Sequence, residues 1–355
     1  MCEAVCPPSD DSRFRISGTP KGWCFLMAVR KFVEDTLHWR KPERLPMLEW
    51  ATWWDKTVDA WQSEDSQCPS EQGSLFSYFG LDHHAQFWIP THDGKLPPPP
   101  CHGAPVIGDM ESFRENLCHL YPDWMPDLIR ENLSKVAKRH EEGDLTVWFT
   151  LEGFFWFPRT LLGIESHLYA FYDEEDLMLE MNERLTQYYE TILDAIYDVL
   201  TPEFMTFAED MSYNHGPMLS KEMYDRFLLP YYQRLVPRIK VRGTKVFIDT
   251  DGDVEPLIPW FKEAGIEGVL PLERQAGVDV NRIRRDHPEW LMIGGFDKTV
   301  MKDGEAAMRW EFERILPAIR SGGYIPSVDH QTPPDVSVEN YRIYCRLLRE
   351  YTTLY

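Results

Sequence analysis

KVFIDTDGDVEPLIPWFKEAGIEGVLPLE (245–273) decides the fold. It opens with a short apolar run, KVFI (245–248), and breaks into a carboxylate-rich turn, DTDGD (249–253). An amphipathic stretch follows and leads into a second β-like run, GVLPL (268–272), which again ends on a carboxylate, Glu273. Strand, crossover and strand on this scale predict a parallel pair, because parallel neighbours need a dozen or more connecting residues.

The same rhythm extends both ways. Further β-like runs are RLPMLEW (44–50), LTVWFTL (145–151), FMTFA (204–208), WLMIGG (290–295) and GGYIPSV (322–328). Between them Leu177, Met181, Leu185, Tyr188, Ile192 and Ile196 keep helical spacing, as do the stretches Lys221 to Lys240 and Glu305 to Ile319. The last helix is predicted to start near Asp335 or Ser337, both good N-caps. Alternating strands and helices imply a mostly parallel sheet, and seven strands favour a (β/α)8 TIM barrel over a doubly wound sheet. The eighth strand has no clear place: Phe87-Trp88-Ile89 is either that strand or a hairpin arm.

Residues 1–26 read as a disordered leader, polar and rich in Pro, Ser and Gly, and residues 27–355 as the single barrel domain. The run Leu96 to Pro100 (LPPPP) is expected in an exposed, extended loop. Seven cysteines, an odd number scattered along the chain, do not make a disulfide framework. Without a signal peptide or an apolar run near the ~20 residues of a membrane span, the expectation is a cytoplasmic protein.

The 37 Lys and Arg against 58 Asp and Glu leave a net charge of −21, which argues against nucleic-acid and anionic-membrane partners. Barrel chemistry sits where strands end and βα loops begin. At those points the sequence places Glu152, Glu209 and Asp210, Asp249, Asp251 and Asp253, Glu273, Asp297, and Asp329 beside His330. An Asp that opens a helix is commonly an N-cap, but six successive strands deliver carboxylates to one mouth. Asp249 and Asp251, two residues apart, are expected on one face of an extended chain, where both cannot ionise cheaply. One is then protonated and available as a general acid, or a cation neutralises the pair. The plain alternative is a turn, for which Gly252 is suited. An EF-hand loop does not fit, because a strand precedes the motif and no Glu stands at the twelfth position. His330, the one His at a strand end before a helix, is the natural proton-transfer partner. The candidate catalytic set is Asp249, Asp251, His330, Asp210 and Glu152. Trp50, Trp53, Trp54, Phe155 and Trp156, with Asp297, are the candidate substrate-binding residues, the aromatics suiting a flat or apolar ligand. Phosphate-loop, dinucleotide, nucleophile-elbow and HExxH motifs are absent, as is the DxHxxG run that carries a corrinoid.

The lines LSKEMYDRFLLPYYQRLVPRIK (219–240), DTDGDVEPLIPWFKEAGIEGVLPLERQAGVDV (249–280), LMIGGFDK (291–298) and GGYIPSVDHQTPPDVSVENY (322–341) resemble the uroporphyrinogen decarboxylase superfamily. So does GFFWFPRTLLGIESHLYAFYDEEDLMLEM (153–181). The resemblance implies a distorted (β/α)8 barrel. It also implies one of two activities: decarboxylation of uroporphyrinogen, or methyl transfer involving a corrinoid protein. True decarboxylases carry RQAGRY after the first strand, with arginines for the substrate carboxylates. Here the stretch is EWATWW (49–54), with no arginine, and bidentate Arg is the usual partner of such groups. The thiol-directed methyltransferases hold zinc with an HxC pair and a later Cys. Asp249, Asp251 and His330 stand at those positions, a poor thiolate-activating set, so no zinc is expected; if any metal binds, these three are its ligands.

The expectation is a corrinoid-dependent methyltransferase or O-demethylase. It would take a methyl group from a small aromatic methyl ether to a corrinoid (cobalamin) on a separate protein, with carboxylates and His as acid and base. Decarboxylation of uroporphyrinogen or a related pyrrolic or aromatic acid is the alternative, and a non-catalytic binding barrel the third reading. The partners expected are a small-molecule substrate and the corrinoid-binding protein; a homodimer is compatible.

Overall fold

The computed structural model describes residues 29–354. The expected leader, residues 1–26, lies outside them. Seven strands form one sheet: β1 (His84–Trp88), β2 (Thr146–Glu152), β3 (Phe204–Ala208), β4 (Lys245–Asp249), β5 (Gly268–Leu270), β6 (Leu291–Phe296) and β7 (Tyr324–Val328). They follow one another in chain order and every neighbouring pair is parallel. Helical segments separate successive strands and cover the outside, which gives a distorted TIM barrel. Residues 87–89 are thus resolved in favour of a strand: β1 pairs with β2 from His84↔Thr146 to Trp88↔Thr150.

The run 44–50 departs from expectation and forms no ladder. Pro46 has no amide hydrogen, and the Met47 amide donates to the Asp82 carboxylate at 2.8 Å. The segment instead stands between the two sheet edges as an eighth stave. On one side the Asp82 amide donates to Met47 O, just ahead of β1. On the other, at β7, Trp50 Nε1 donates to Val328 O and Ser327 Oγ to Glu49 Oε1, at 2.8 and 2.7 Å. The buried Glu49 also accepts from Tyr341 OH at 2.9 Å. Burial pushes its carboxyl up to about 7, against the pull of those two hydroxyls.

Two apolar layers hold the barrel. Leu48, Trp148, Phe204, Phe247, Leu270, Leu291, Ile293 and Ile325 pack inside the cylinder, and Val33 and Leu37 of the helix Val29–Leu37 close its amino-terminal end. The larger cluster lies between sheet and helices. Helix Glu175–Tyr197 buries Leu177, Met181, Leu185, Tyr188, Ile192 and Ile196, the stripe expected from its period. The stretch 221–240 is two helices, Lys221–Phe227 and Leu229–Lys240, because Pro230 restarts the helix at its second position. Ser337 caps the last helix, Val338–Thr353, through the Asn340 amide. Among the described residues no helix is long and apolar enough to cross a membrane.

Candidate active site

Side chains two apart on a strand share a face, so the interior positions of Trp148, Phe204 and Phe247 define which residues rise toward the carboxyl-terminal mouth. Above them come Thr150 and Thr206, whose hydroxyls bond at 2.8 Å, with Gln86 Nε2 on Thr150 Oγ1 at 3.0 Å. The next level is Glu152, Ala208 and Asp249, which are register partners across β2, β3 and β4. Ala208 adds no bulk between the two acids. Glu152 accepts from Thr91 Oγ1 at 2.6 Å, and burial pushes it up to about 7. Among the described residues Asp249 has no side-chain hydrogen bond. Its carboxyl is held well above the usual range by burial first, then by the charges of Asp210 and Asp251.

The loops complete the group. Asp210 sits in the left-handed region at φ 39°, where Asp is tolerated better than most residues. Its carbonyl accepts from Arg159 Nη1 at 3.2 Å, its carboxyl lies 3.4 Å from the Asp251 amide, and burial raises it. Gly252 permits the turn: at φ +81° a Cβ there would fall 2.6 Å from the Tyr213 backbone. Asp251 Oδ2 stands 3.7 Å from His330 Nε2. Burial, followed by the charges of Asp210 and Glu273, pushes Asp251 up to about 8 against the pull of Lys298. Burial and then Lys298 lower His330, with Glu273 pulling the other way. The Trp50 ring meets His330 edge-on, centroids 6.4 Å apart.

The structure therefore brings Asp210, Asp249, Asp251 and His330 together, with Glu152 on the same level, Trp50 against His330, and Trp156 beside Asp210 through Arg159, whose guanidinium covers the Trp156 ring at 5.2 Å. The other expected residues are placed differently. Trp53 is packed among Trp61, Phe76, Phe79 and Tyr341 in the core. Phe155 is fully buried against His167 and Phe171, directly before the helix Trp156–Leu162. Trp54 precedes helix Asp55–Glu64 and is 41% exposed. Asp297 caps the segment Lys298–Asp303 through the Thr299 amide at 2.9 Å. Asp249, Asp251 and His330 are not gathered as metal ligands: among the described residues no three His, Cys, Asp or Glu side chains lie close enough to hold an ion.

Trp88 and Lys298 are not among the mouth residues singled out from the sequence, and the strand-end acids Asp329, Glu273 and Glu209 take roles it did not assign. Trp88 shares the alternation of His84 and Gln86 and so faces the cylinder, yet it is 47% exposed. The buried Asp329 accepts the Arg274 and Lys298 amides, at 3.0 and 3.1 Å, and Lys298 Nζ at 3.3 Å, bracing the loops after β5, β6 and β7. Glu273 accepts the Gly252 amide at 3.1 Å. Glu209 serves structure: its carboxyl takes the amides of Phe154, Phe155 and Trp156 at 2.8–3.1 Å and the Tyr232 hydroxyl. At Gly153 a Cβ would sit 1.9 Å from that carboxyl. The signal for Trp88 is the β1 alternation, and that for Lys298 its place two residues after the end of β6.

Comparison with known proteins agrees with this architecture. A family model described as Uroporphyrinogen decarboxylase (URO-D) matches residues 155–351, more than half of the chain. A solved methyltransferase from Methanosarcina mazei superposes with a TM-score of 0.65 at 13% identity, covering 91% of this chain and 99% of that one. A putative vitamin-B12 independent methionine synthase from Listeria monocytogenes gives 0.44 at 12% identity, over 87% of this chain and 97% of that one. No curated protein sequence matches.

Proposed function

Since the chain belongs to the uroporphyrinogen decarboxylase family, we propose that it is a methyltransferase of the O-demethylase kind, taking a methyl group from a small aryl methyl ether. The observation that carries this is the Asp251–His330 pair, in which a carboxyl pushed up to about 8 stands 3.7 Å from a His whose pKa is lowered. A carboxyl protonated at neutral pH can donate to an oxygen leaving group.

A corrinoid in its Co(I) state, carried by a separate protein, would supply the nucleophile that takes the methyl group. The chain's own residues do the rest. Trp88, Trp50 and Trp156 offer faces and edges to an aryl ring at the lip. As the methyl–oxygen bond breaks, its electron pair stays on oxygen, and Asp251 passes its proton to the forming phenoxide. His330, neutral beside it, orients the acid and returns a proton from solvent. Asp249 and Glu152, also raised, keep the floor of the mouth close to uncharged.

Decarboxylation of a porphyrinogen lacks support from the first stave, where Glu49-Trp50-Ala51-Thr52-Trp53-Trp54 has no arginine. The test is anaerobic incubation of the purified protein with guaiacol and cob(I)alamin, followed by the optical spectrum of methylcobalamin and release of catechol. Formation of both supports the proposal. Formation of coproporphyrinogen from uroporphyrinogen, with no methyl transfer from any aryl ether, overturns it.

A further inference from the structure

Arg159 stands beside the candidate site without an acid of its own. It follows β2 on the short helix Trp156–Leu162, is half-buried, and lays its guanidinium over the Trp156 ring at 5.2 Å. Nη1 donates to the Asp210 carbonyl at 3.2 Å. Among the described residues the other N–H groups of the fork have no protein acceptor, and Arg159 forms no ion pair. Other half-buried arginines of this acidic chain rest on carboxylates: Arg30 on Glu203 and Arg44 on Asp82 at 2.6 Å, and Arg314 on Glu311 at 2.5 Å. Arg284 uses its donors on Ser321 and on backbone carbonyls, and Arg274 turns to Val278 O in its own loop at 3.1 Å. Arg159, by contrast, rests on a residue of the candidate site.

Asp210 links this guanidinium to the proposed acid. Its carbonyl takes Arg159, and its carboxyl lies 3.4 Å from the Asp251 amide. Burial raises both Asp210 and Asp251 toward their neutral forms, which leaves the charge of Arg159 without a counter-ion. The neighbouring His167, pushed down to about 3 by burial and then by Arg159, adds no second cation, and Lys298 is held by Asp329.

We infer that Arg159 is the carboxylate-binding residue of the mouth, and that the donor is an aryl methyl ether carrying one carboxylate, gripped by the fork while its ether oxygen lies at Asp251. The inference rests on the methyl-transfer reading for the ether, although the carboxylate site itself needs no turnover. A guanidinium matches a carboxylate with two parallel hydrogen bonds, and such a pair is stronger in a half-buried site than in water. One guanidinium suits one carboxylate, in keeping with the absence of arginine from the stave residues 49–54. The bound carboxylate also brings negative charge beside Asp210 and Asp251, which tightens the hold of both on their protons.

Titration calorimetry at neutral pH and low salt measures Kd for p-anisate and for 4-methoxybenzamide, the same ring with an uncharged amide, in the wild type, Arg159→Met and Arg159→Lys. The wild type should bind p-anisate at least about tenfold more tightly than the amide, the scale of a hydrogen bond between charged groups. Arg159→Met should close that gap through p-anisate alone, and Arg159→Lys, which keeps the charge and loses the fork, should restore part of it. Binding of the amide as tight as that of p-anisate by the wild type overturns the inference, and that comparison stands even if a variant does not fold. Equal weakening of both ligands in Arg159→Met, the mark of a merely structural hold on Asp210, overturns the role of Arg159, as does a gap that survives there. Anaerobic methyl transfer to cob(I)alamin separates the two proposals. Tight, Arg159-dependent binding of p-anisate with no methyl loss from any aryl ether keeps the carboxylate site and sinks methyl transfer. Methyl loss from both ligands at equal Kd does the reverse. Binding of neither ligand overturns the inference.

Discussion

Asp251 Oδ2 and His330 Nε2 face each other at 3.7 Å across the mouth, one carried by the loop after β4 and the other by the loop after β7. Two strands, β5 and β6, lie between theirs in the sheet, so their approach is a product of barrel closure and not of any local motif. If Asp251 is the acid, Asp251→Asn keeps shape and removes the proton. Methyl transfer should fall by about 10²–10⁴, the range of general-acid contributions, with little change in KM. In the wild type kcat should hold below pH 8 and fall above it, as a group pushed up to about 8 loses its proton. Rates measured from pH 6 to 9 check both points, and a surviving alkaline limb in the Asn variant would assign it to another group.

Glu49 makes stability depend on pH. Its folded-state pKa, about 7, lies above the unfolded value near 4.5, so the folded chain binds the extra proton between those limits. The contribution is whole below the unfolded pKa and is lost as pH rises through 7. With 1.36 kcal/mol per unit, it is on the order of 3 kcal/mol. Glu49→Gln, which mimics the protonated form toward Ser327 and Tyr341, should flatten the fall in Tm between pH 5 and 8. Scanning calorimetry of the two proteins over that range is the check, and parallel Tm curves would remove Glu49 as the cause.

Two aromatic substitutions should separate binding from packing. Trp88→Ala removes an exposed ring and should raise KM for the donor several-fold while leaving Tm close to the wild type. Phe155→Ala empties a fully buried site and should cost about 3–5 kcal/mol. A melting curve and a Michaelis plot for each variant suffice. The opposite pattern would return Phe155 to the substrate and Trp88 to the scaffold.

Gly153→Ala places a methyl group where the Glu209 carboxyl now receives three amides. The carboxyl must leave or the strand end must shift, at about 1–3 kcal/mol for the overpacking, with more if the amides lose their acceptor. Thermal melting reads the loss, and a wild-type Tm would show that Glu209 can move aside freely.

The sheet was legible because its signal is local. KVFI, FMTFA and the β2 run are buried on both faces and read as short apolar segments between helical periods. RLPMLEW carries the same local signature, yet Pro46 and the pull of Asp82 keep it out of a ladder, a distinction made by a partner 35 residues away. The carboxylates at the mouth were visible as a list, but their sorting was not. Asp297 and Glu209 serve backbone amides, whereas Asp249, Asp251 and Asp210 press on one another. Which fate awaits an acid at a strand end depends on the amides that the next loop turns toward it. For the aromatics the sequence could count rings but not faces: Trp50 and Trp53, three residues apart, went to the mouth and to the core.

The stave at 44–50 has a consequence for how this barrel can drift. A backbone ladder tolerates nearly any side chain, because the amides that sew it are common to all residues except proline. Here the two seams that flank the stave are stitched by Asp82 on one side and by Glu49, Ser327 and Tyr341 on the other, so closure is written in the identities of a few hydroxyls and acids. The other seams of the cylinder can accept substitutions one at a time, but these two change only when both sides of a stitch change together. Trp50 and β7, whose end carries His330, border that stitching directly. The geometry of the mouth is thereby tied to the least interchangeable part of the wall.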